Sequence, residues 1–142
     1  MKTILIVDDS NTARTIVRRC LEIVGFEDAK FIEAANGKEA LILLKRELAD
    51  LVVTDLNMPV MDGETFLKWV KGSQKTHDIP VVMISSARNS AKERQVLDMG
   101  ALAVIGKPIS PEILKRAIGD LLGVEEQWAG AAPAGNEKEE SE

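Results

Sequence analysis

Six side chains of this sequence place charge or a hydroxyl at the ends of apolar runs: Asp8, Asp9, Asp55, Ser85, Ser86 and Lys107. Asp8 and Asp9 follow Thr3-Ile4-Leu5-Ile6-Val7, and Asp55 follows Leu51-Val52-Val53-Thr54. Ser85 and Ser86 follow Pro80-Val81-Val82-Met83-Ile84, and Lys107 comes after Ala101-Leu102-Ala103-Val104-Ile105-Gly106. Three carboxylates brought close together repel one another, so either one takes up a proton or a cation lies between them. Oxygen-only ligands select a hard ion, and few protein ligands with room for water favour Mg²⁺ over Ca²⁺. No histidine or thiolate stands near these positions to suggest zinc. An ammonium and a hydroxyl added to such a centre make a receptor for a phosphoryl group. Asp55 can serve as its covalent acceptor, because aspartate is a phosphoryl nucleophile. The cation and Lys107 would then offset charge on the equatorial oxygens during in-line transfer.

These residues converge only if the apolar runs are neighbouring strands. The runs at 3–7, 51–54, 80–84 and 101–105 are continuous rather than alternating, as in strands covered on both faces. Lys30-Phe31-Ile32-Glu33 alternates and reads as an exposed edge strand. Helical spacing joins Ile16, Val17, Cys20, Leu21 and Val24 after a cap at Asn11, with Gly25 as the stop. Asn36 and Glu39 resemble a capping box before Ala40, Leu41, Leu43, Leu44 and Leu48. Gly63 to Gly72 carries Phe66, Leu67 and Val70 inward. Ser90 and Glu93 form a second capping box before Val96, Leu97 and Met99. Ser110-Pro111-Glu112 opens a helix with the stripe Ile113, Leu114, Ile118, Leu121 and Leu122. Five strand–helix units with short connections predict an α/β fold: a doubly wound five-stranded parallel sheet in the order 2-1-3-4-5. In that order the first and third strands are neighbours at the switch point, and all the polar strand ends share one rim.

The 142 residues suffice for one domain with a real core. The organisation expected is a domain over 1–123 and a disordered acidic tail over 124–142. Residues 123–142 hold six glutamates against one lysine, net −5, which equals the charge of the whole chain, so residues 1–122 balance to zero. A balanced domain offers no nucleic-acid footprint. No apolar run approaches the roughly 20 residues that span a bilayer, and the N-terminal run is too short for a signal peptide. A cytoplasmic location is expected. Cys20, the single cysteine, reads as core packing. His77 reads as a surface residue and Trp69 as packed or half-exposed. Trp128 is unusual in an acidic segment and suggests docking on the domain or on a partner.

Asp8-Asp9, Asp55-Leu56-Asn57-Met58-Pro59, Met61-Asp62-Gly63, Ser86-Ala87 and Lys107-Pro108, taken together, resemble a response-regulator receiver domain over residues 2–122, with the single-domain chemotaxis type most similar. The resemblance implies a flavodoxin-like (βα)5 fold and phosphorylation of Asp55 by a sensor histidine kinase. It implies Mg²⁺ held by Asp8, Asp9, Asp55 and the backbone carbonyl of Asn57. It implies Lys107 on a phosphoryl oxygen, a cis Lys107–Pro108 bond, and Ser86 rather than Ser85 as the hydroxyl that swings in. It also implies a downstream protein partner on the face of the fourth helix, fifth strand and fifth helix, no nucleic-acid or membrane partner, a monomer, and no enzyme activity beyond its own phosphorylation and dephosphorylation. Asn57 and Arg88 flank the site and would set the phosphoryl lifetime. Val104 departs from the family, which often has an aromatic residue there, three before the lysine.

Two other readings use the same residues. A Mg²⁺-dependent phosphohydrolase would use Asp55 as nucleophile, but it needs an acid two residues later, where Asn57 stands. A phosphorylation-independent binding scaffold is favoured by Val104 alone.

Overall fold

The computed structural model describes residues 2–87 and 89–119. Strands and helices alternate as β1 (Thr3–Val7), α1 (Asn11–Leu21), β2 (Lys30–Ala34), α2 (Gly37–Arg46), β3 (Leu51–Asp55), α3 (Gly63–Lys71), β4 (Val81–Ser85), α4 (Ser90–Asp98), β5 (Ala103–Gly106) and α5 (Pro111–Ala117). The strands form one parallel sheet in the order β2-β1-β3-β4-β5, as the sequence predicts. β3 and β4 are buried along their whole length and β1 in all but Thr3, because helices cover both faces. Alternate residues feed two cores. Leu5, Val52 and Met83 meet Phe66, Leu67 and Val96 on one side. Ile4, Val53 and Ile84 meet Val17, Leu21 and Leu114 on the other, where Cys20 is also buried.

Several local expectations are corrected. The cap of α1 is Ser10, whose side chain accepts from the Ala13 N–H, and Asn11 is the first helical residue. The cap of α4 is Asn89, which accepts from the Lys92 N–H, so Ser90 lies inside that helix. Both slips are of one residue, because adjacent small polar residues are equivalent caps until the backbone chooses. Glu39 accepts from the Ala35 N–H rather than from its own cap, Asn36. α1 ends at Leu21 and continues as a π-type turn, Glu22–Phe26, in which Gly25 adopts φ 127°. β5 starts at Ala103, two residues later than predicted. Ile16, Leu48 and Leu97 are exposed rather than inward. His77 is exposed, with its ring on the Gln74 carbonyl and Asp78, and Trp69 is exposed. Arg88, Leu121, Leu122, Trp128 and the 124–142 tail lie outside the described residues.

The β3–α3 loop is closely packed at Gly63. The Gly63 N–H donates to the Leu56 carbonyl at 2.8 Å. A Cβ on Gly63 would lie 2.4 Å from the Asp55 carbonyl oxygen and 2.8 Å from the Leu56 Cα. Glycine is therefore required by close approach of backbone to backbone. Val60, three residues earlier, sits at φ 69° and is exposed, a left-handed conformation that a β-branched residue adopts only under strain. The two positions predict opposite outcomes in urea unfolding. Val60→Gly raises stability by about 0.5–1 kcal/mol, relief of strain outweighing the entropy of glycine. Gly63→Ala lowers it by about 1–3 kcal/mol through overpacking. Equal and small effects at both sites would contradict this loop geometry.

Candidate functional site

The register of the sheet builds the site. Val7 pairs with Thr54, so the next residues, Asp8 and Asp55, emerge side by side at the C-terminal rim. β3 in turn sets Asp55 beside Ile84 of β4, and β4 sets Ser85 beside Gly106 of β5. Lys107 therefore leaves the same rim two strands from Asp55, about 10 Å at sheet spacing, a span that a lysine stem largely covers. Its Nζ stands 3.4 Å from Asp8 Oδ2 and 3.5 Å from Asp55 Oδ2. Oxygens of Asp8, Asp9 and Asp55 lie within 4.8 Å of one another. Asp8 and Asp55 are buried, and Asp9 is exposed toward the mouth. Lys107–Pro108 is cis.

The electrostatics follow from burial. Desolvation, then the neighbouring Asp8 charge, pushes the Asp55 carboxyl above its ordinary value, against the opposing pull of Lys107. Burial works against the Lys107 ammonium, but Asp55 and Asp8 together outweigh it and hold that group above its usual value. One ammonium thus faces three carboxylates. The excess of anionic oxygen, all of it hard donor, fits a small divalent cation, and Asp8, Asp9 and Asp55 would hold it. Asn57 is exposed, and its N–H points at Asp55 Oδ1, a long 3.4 Å.

The two serines divide sharply. Ser85 is buried, and its hydroxyl donates to the Ala87 carbonyl at 2.7 Å. Ser86, one residue further on, is exposed at the rim.

Two supports were invisible in the sequence pattern. The Ser10 N–H donates to Asp8 Oδ1 at 2.9 Å. Arg14, one turn into α1 and largely buried, donates to the Asp8 carbonyl at 2.5 Å and to Asn11, and pairs with Glu33 at 2.7 Å. The signal for Arg14 was a lone cation on the otherwise apolar side of α1, and its acid partner is 19 residues away on the edge strand.

A doubly wound parallel sheet carrying an acid trio and a lysine at its switch point defines the class of domain. The chain belongs to the response-regulator receiver family: the model of the "Response regulator receiver domain" matches residues 4–119. It is 37 % identical over 121 residues to a chemotaxis protein CheY homolog of Campylobacter jejuni, covering 84 % of this chain and 92 % of that one. It is 33 % identical over 117 residues to the sensor histidine kinase CheAY of Helicobacter pylori, covering 81 % of this chain but 14 % of that much longer one. The structure of the chemotaxis response regulator CheY4 of Vibrio cholerae superposes with a TM-score of 0.74 at 30 % identity, covering 85 % of this chain and 98 % of that one. The chain is thus a receiver domain similar to single-domain chemotaxis regulators.

The upward shift of Asp55 fixes a sign. A carboxyl whose folded-state pKa is raised destabilises the fold above that pKa, and the penalty disappears as pH falls through it toward the unfolded value. Asp55→Asn should therefore raise Tm by a few °C at pH 7, and the gap to the parent should close in mildly acidic buffer. Mg²⁺ at ten times its Kd should stabilise the parent by about 1.4 kcal/mol and the variant less. Thermal melts with and without Mg²⁺ check both; a destabilised Asp55→Asn would contradict the repulsion.

Proposed function

We propose that this chain is a phosphorylation switch of a two-component system, in which Asp55 accepts a phosphoryl group from a sensor histidine kinase and the phosphorylated domain changes its affinity for a partner protein. The observation that carries this reading is the Lys107 ammonium within 3.5 Å of both Asp8 and Asp55, with Asp9 closing the trio. Chemotaxis is the pathway named for the relatives and is the pathway proposed here.

In the transfer, an Asp55 carboxylate oxygen attacks phosphorus. The bond from phosphorus to the donor imidazole nitrogen breaks, its electron pair stays on that nitrogen, and an acyl phosphate remains on Asp55. Lys107, already poised on the Asp55 oxygen, takes a phosphoryl oxygen as charge develops there. Ser86 is the exposed rim hydroxyl able to donate to the same group, since that of Ser85 is engaged on Ala87. Asp8, Asp9, Asp55 and the Asn57 carbonyl would hold Mg²⁺, which when bound neutralises charge on the phosphoryl oxygens. Asn57 stands where a hydrolase would need a second acid, which favours acceptance over turnover of a separate substrate.

The surroundings suit two partners. An apolar cavity of about 450 Å³ opens beside Asp8 and Lys107, with Ile16 and Val17 of α1 on one side and Pro108 and Ile109 on the other. It suits a kinase helix that presents its histidine to Asp55. On the α4–β5–α5 face, Leu97 and Leu102 are exposed, and that face suits the downstream target. We read the folded domain as residues 1–123, monomeric and cytoplasmic, binding neither nucleic acid nor membrane. Among the described residues no helix is long and apolar enough to cross a bilayer.

Acetyl phosphate with Mg²⁺, followed at once by intact-mass measurement, tests the reading. The parent should gain the mass of one phosphoryl group, and Asp55→Asn should gain none. Chelation should abolish the gain, and Lys107→Ala should slow it by about tenfold or more. A gain that persists in Asp55→Asn, or no gain in the parent under trapping conditions, overturns it.

A further inference from the structure

β5 is an outer strand of the sheet, and among the described residues its partner is β4 alone. Its sequence, Ala103-Val104-Ile105-Gly106, carries no lysine, proline or charge of the kind that guards an exposed edge. Between this edge and α5 lies an open groove of about 650 Å³. Ala103 and Val104 form one wall, Ile113 and Ala117 the other, with Arg116 on the α5 side and Lys107 at one end. Among the described residues its lining has two cations, Lys107 and Arg116, and no carboxylate. Its size falls within the roughly 300–1,000 Å³ of pockets that enclose small organic groups, which makes it ample for an indole.

The chain itself supplies a matching group. The sequence continues for 23 residues beyond Gly119, itself two residues past the groove-lining Ala117. Residues 123–142 carry net −5, and Glu125 and Glu126 lie three and two residues before Trp128, the one aromatic residue of that stretch. Nine residue steps lead from Gly119 to Trp128, a reach of up to about 30 Å against a strand only about 13 Å long. A short tether holds such a group at an effective concentration on the order of millimolar, so a weak contact is enough to populate the bound form. Acidic side chains beside an indole complement Arg116 beside an apolar cleft.

We propose that residues 124–128 of this chain occupy the β5–α5 groove, with Trp128 seated against Ala103, Val104 and Ala117 and Glu125 and Glu126 drawn to Arg116. Val104 leaves the space that the tail aromatic fills. Where the target also uses this face, as proposed above, it must displace the tail, which raises the threshold for output. That consequence rests on the reading of the target face; occupancy of the groove does not.

The test uses the full chain with Trp69→Phe, which removes the exposed α3 indole and leaves Trp128 as the sole tryptophan. A groove about two-thirds occupied lowers acrylamide quenching about threefold relative to the urea-unfolded chain, with a blue-shifted emission. Arg116→Glu, Ala117→Glu or 0.5 M salt should each return quenching toward the unfolded value, while circular dichroism and phosphoryl uptake from acetyl phosphate stay unchanged. The salt arm needs no substitution, so a variant that fails to fold does not remove the test. Quenching equal to that of the unfolded chain overturns the proposal. Protection that varies with protein concentration assigns the groove to a second copy and overturns it also, as does protection that neither substitution nor salt alters. Because the readout needs no phosphorylation, its failure is distinct from failure of Asp55 to accept a phosphoryl group.

Discussion

The constraint on which the rest of the structure depends is the burial of like charge: two carboxylates withdrawn from water at one sheet rim, a third at the mouth, and one ammonium among them. Left to itself such a group would relax apart or take up protons. It persists because Asp8 and Asp55 extend strands whose register is fixed by apolar residues on both faces. Moving either carboxylate would shift a whole strand by a residue and turn its core residues to the wrong layer. The cores thus hold the charges in place. The remaining repulsion is what a divalent cation held by the three carboxylates would relieve. Lys107 relieves only part of it, and removing that lysine would leave buried anions with still less compensation.

Rigidity at the rim comes from backbone contacts as much as from side chains. Gly63 packs its Cα against the backbone of Asp55 and Leu56, so the start of α3 braces the end of β3. Asp8 is held at both its carboxylate, by the Ser10 N–H, and its carbonyl, by Arg14. Arg14 passes that restraint to β2 through Glu33. The acid trio therefore sits on elements whose positions are each determined more than once. Reactive groups must be held this way if their geometry is to be set before a substrate arrives.

Much of this was legible in the sequence because it rests on period and type. Continuous apolar runs marked four of the strands, and acids, a serine pair and a lysine at their ends marked the candidate site, since parallel topology brings strand ends to one rim. The misses have physical causes. Ser10 against Asn11, and Asn89 against Ser90, are pairs of equally good caps, which only the backbone path separates. Ile16 and Leu97 lie on helices but face outward, where a hydrophobic residue is tolerated, and Leu48 falls past the end of α2 at Arg46. Arg14 was missed because its role depends on a partner on an edge strand, a relation that periodicity does not encode. Gly63 was visible as a residue of a motif, but the reason for it, a backbone 2.4 Å from its missing Cβ, needs coordinates.

The domain is not uniformly firm, and the asymmetry bears on how a local charge change is felt elsewhere. α3 buries Phe66, Leu67 and Val70, whereas α4 buries Val96 alone. α4 is tied to α3 largely by charge: Glu64 takes the Lys92 ammonium on one oxygen and the Gln95 amide, at 2.8 Å, on the other. Partly exposed ties of this kind are worth at most about 1 kcal/mol each, less than one buried leucine. α4, with its single buried side chain, follows the Ser86 loop directly, and it borders β5, the outer strand of the sheet. On the proposed switch, a shift of Ser86 toward a phosphorylated Asp55 would therefore reach a helix that apolar contact holds only lightly. Val104 sharpens the point. Without a large side chain there, the proposed response of this face would depend on displacement of α4 and on what lies in the β5–α5 groove, not on rotation of an aromatic lever.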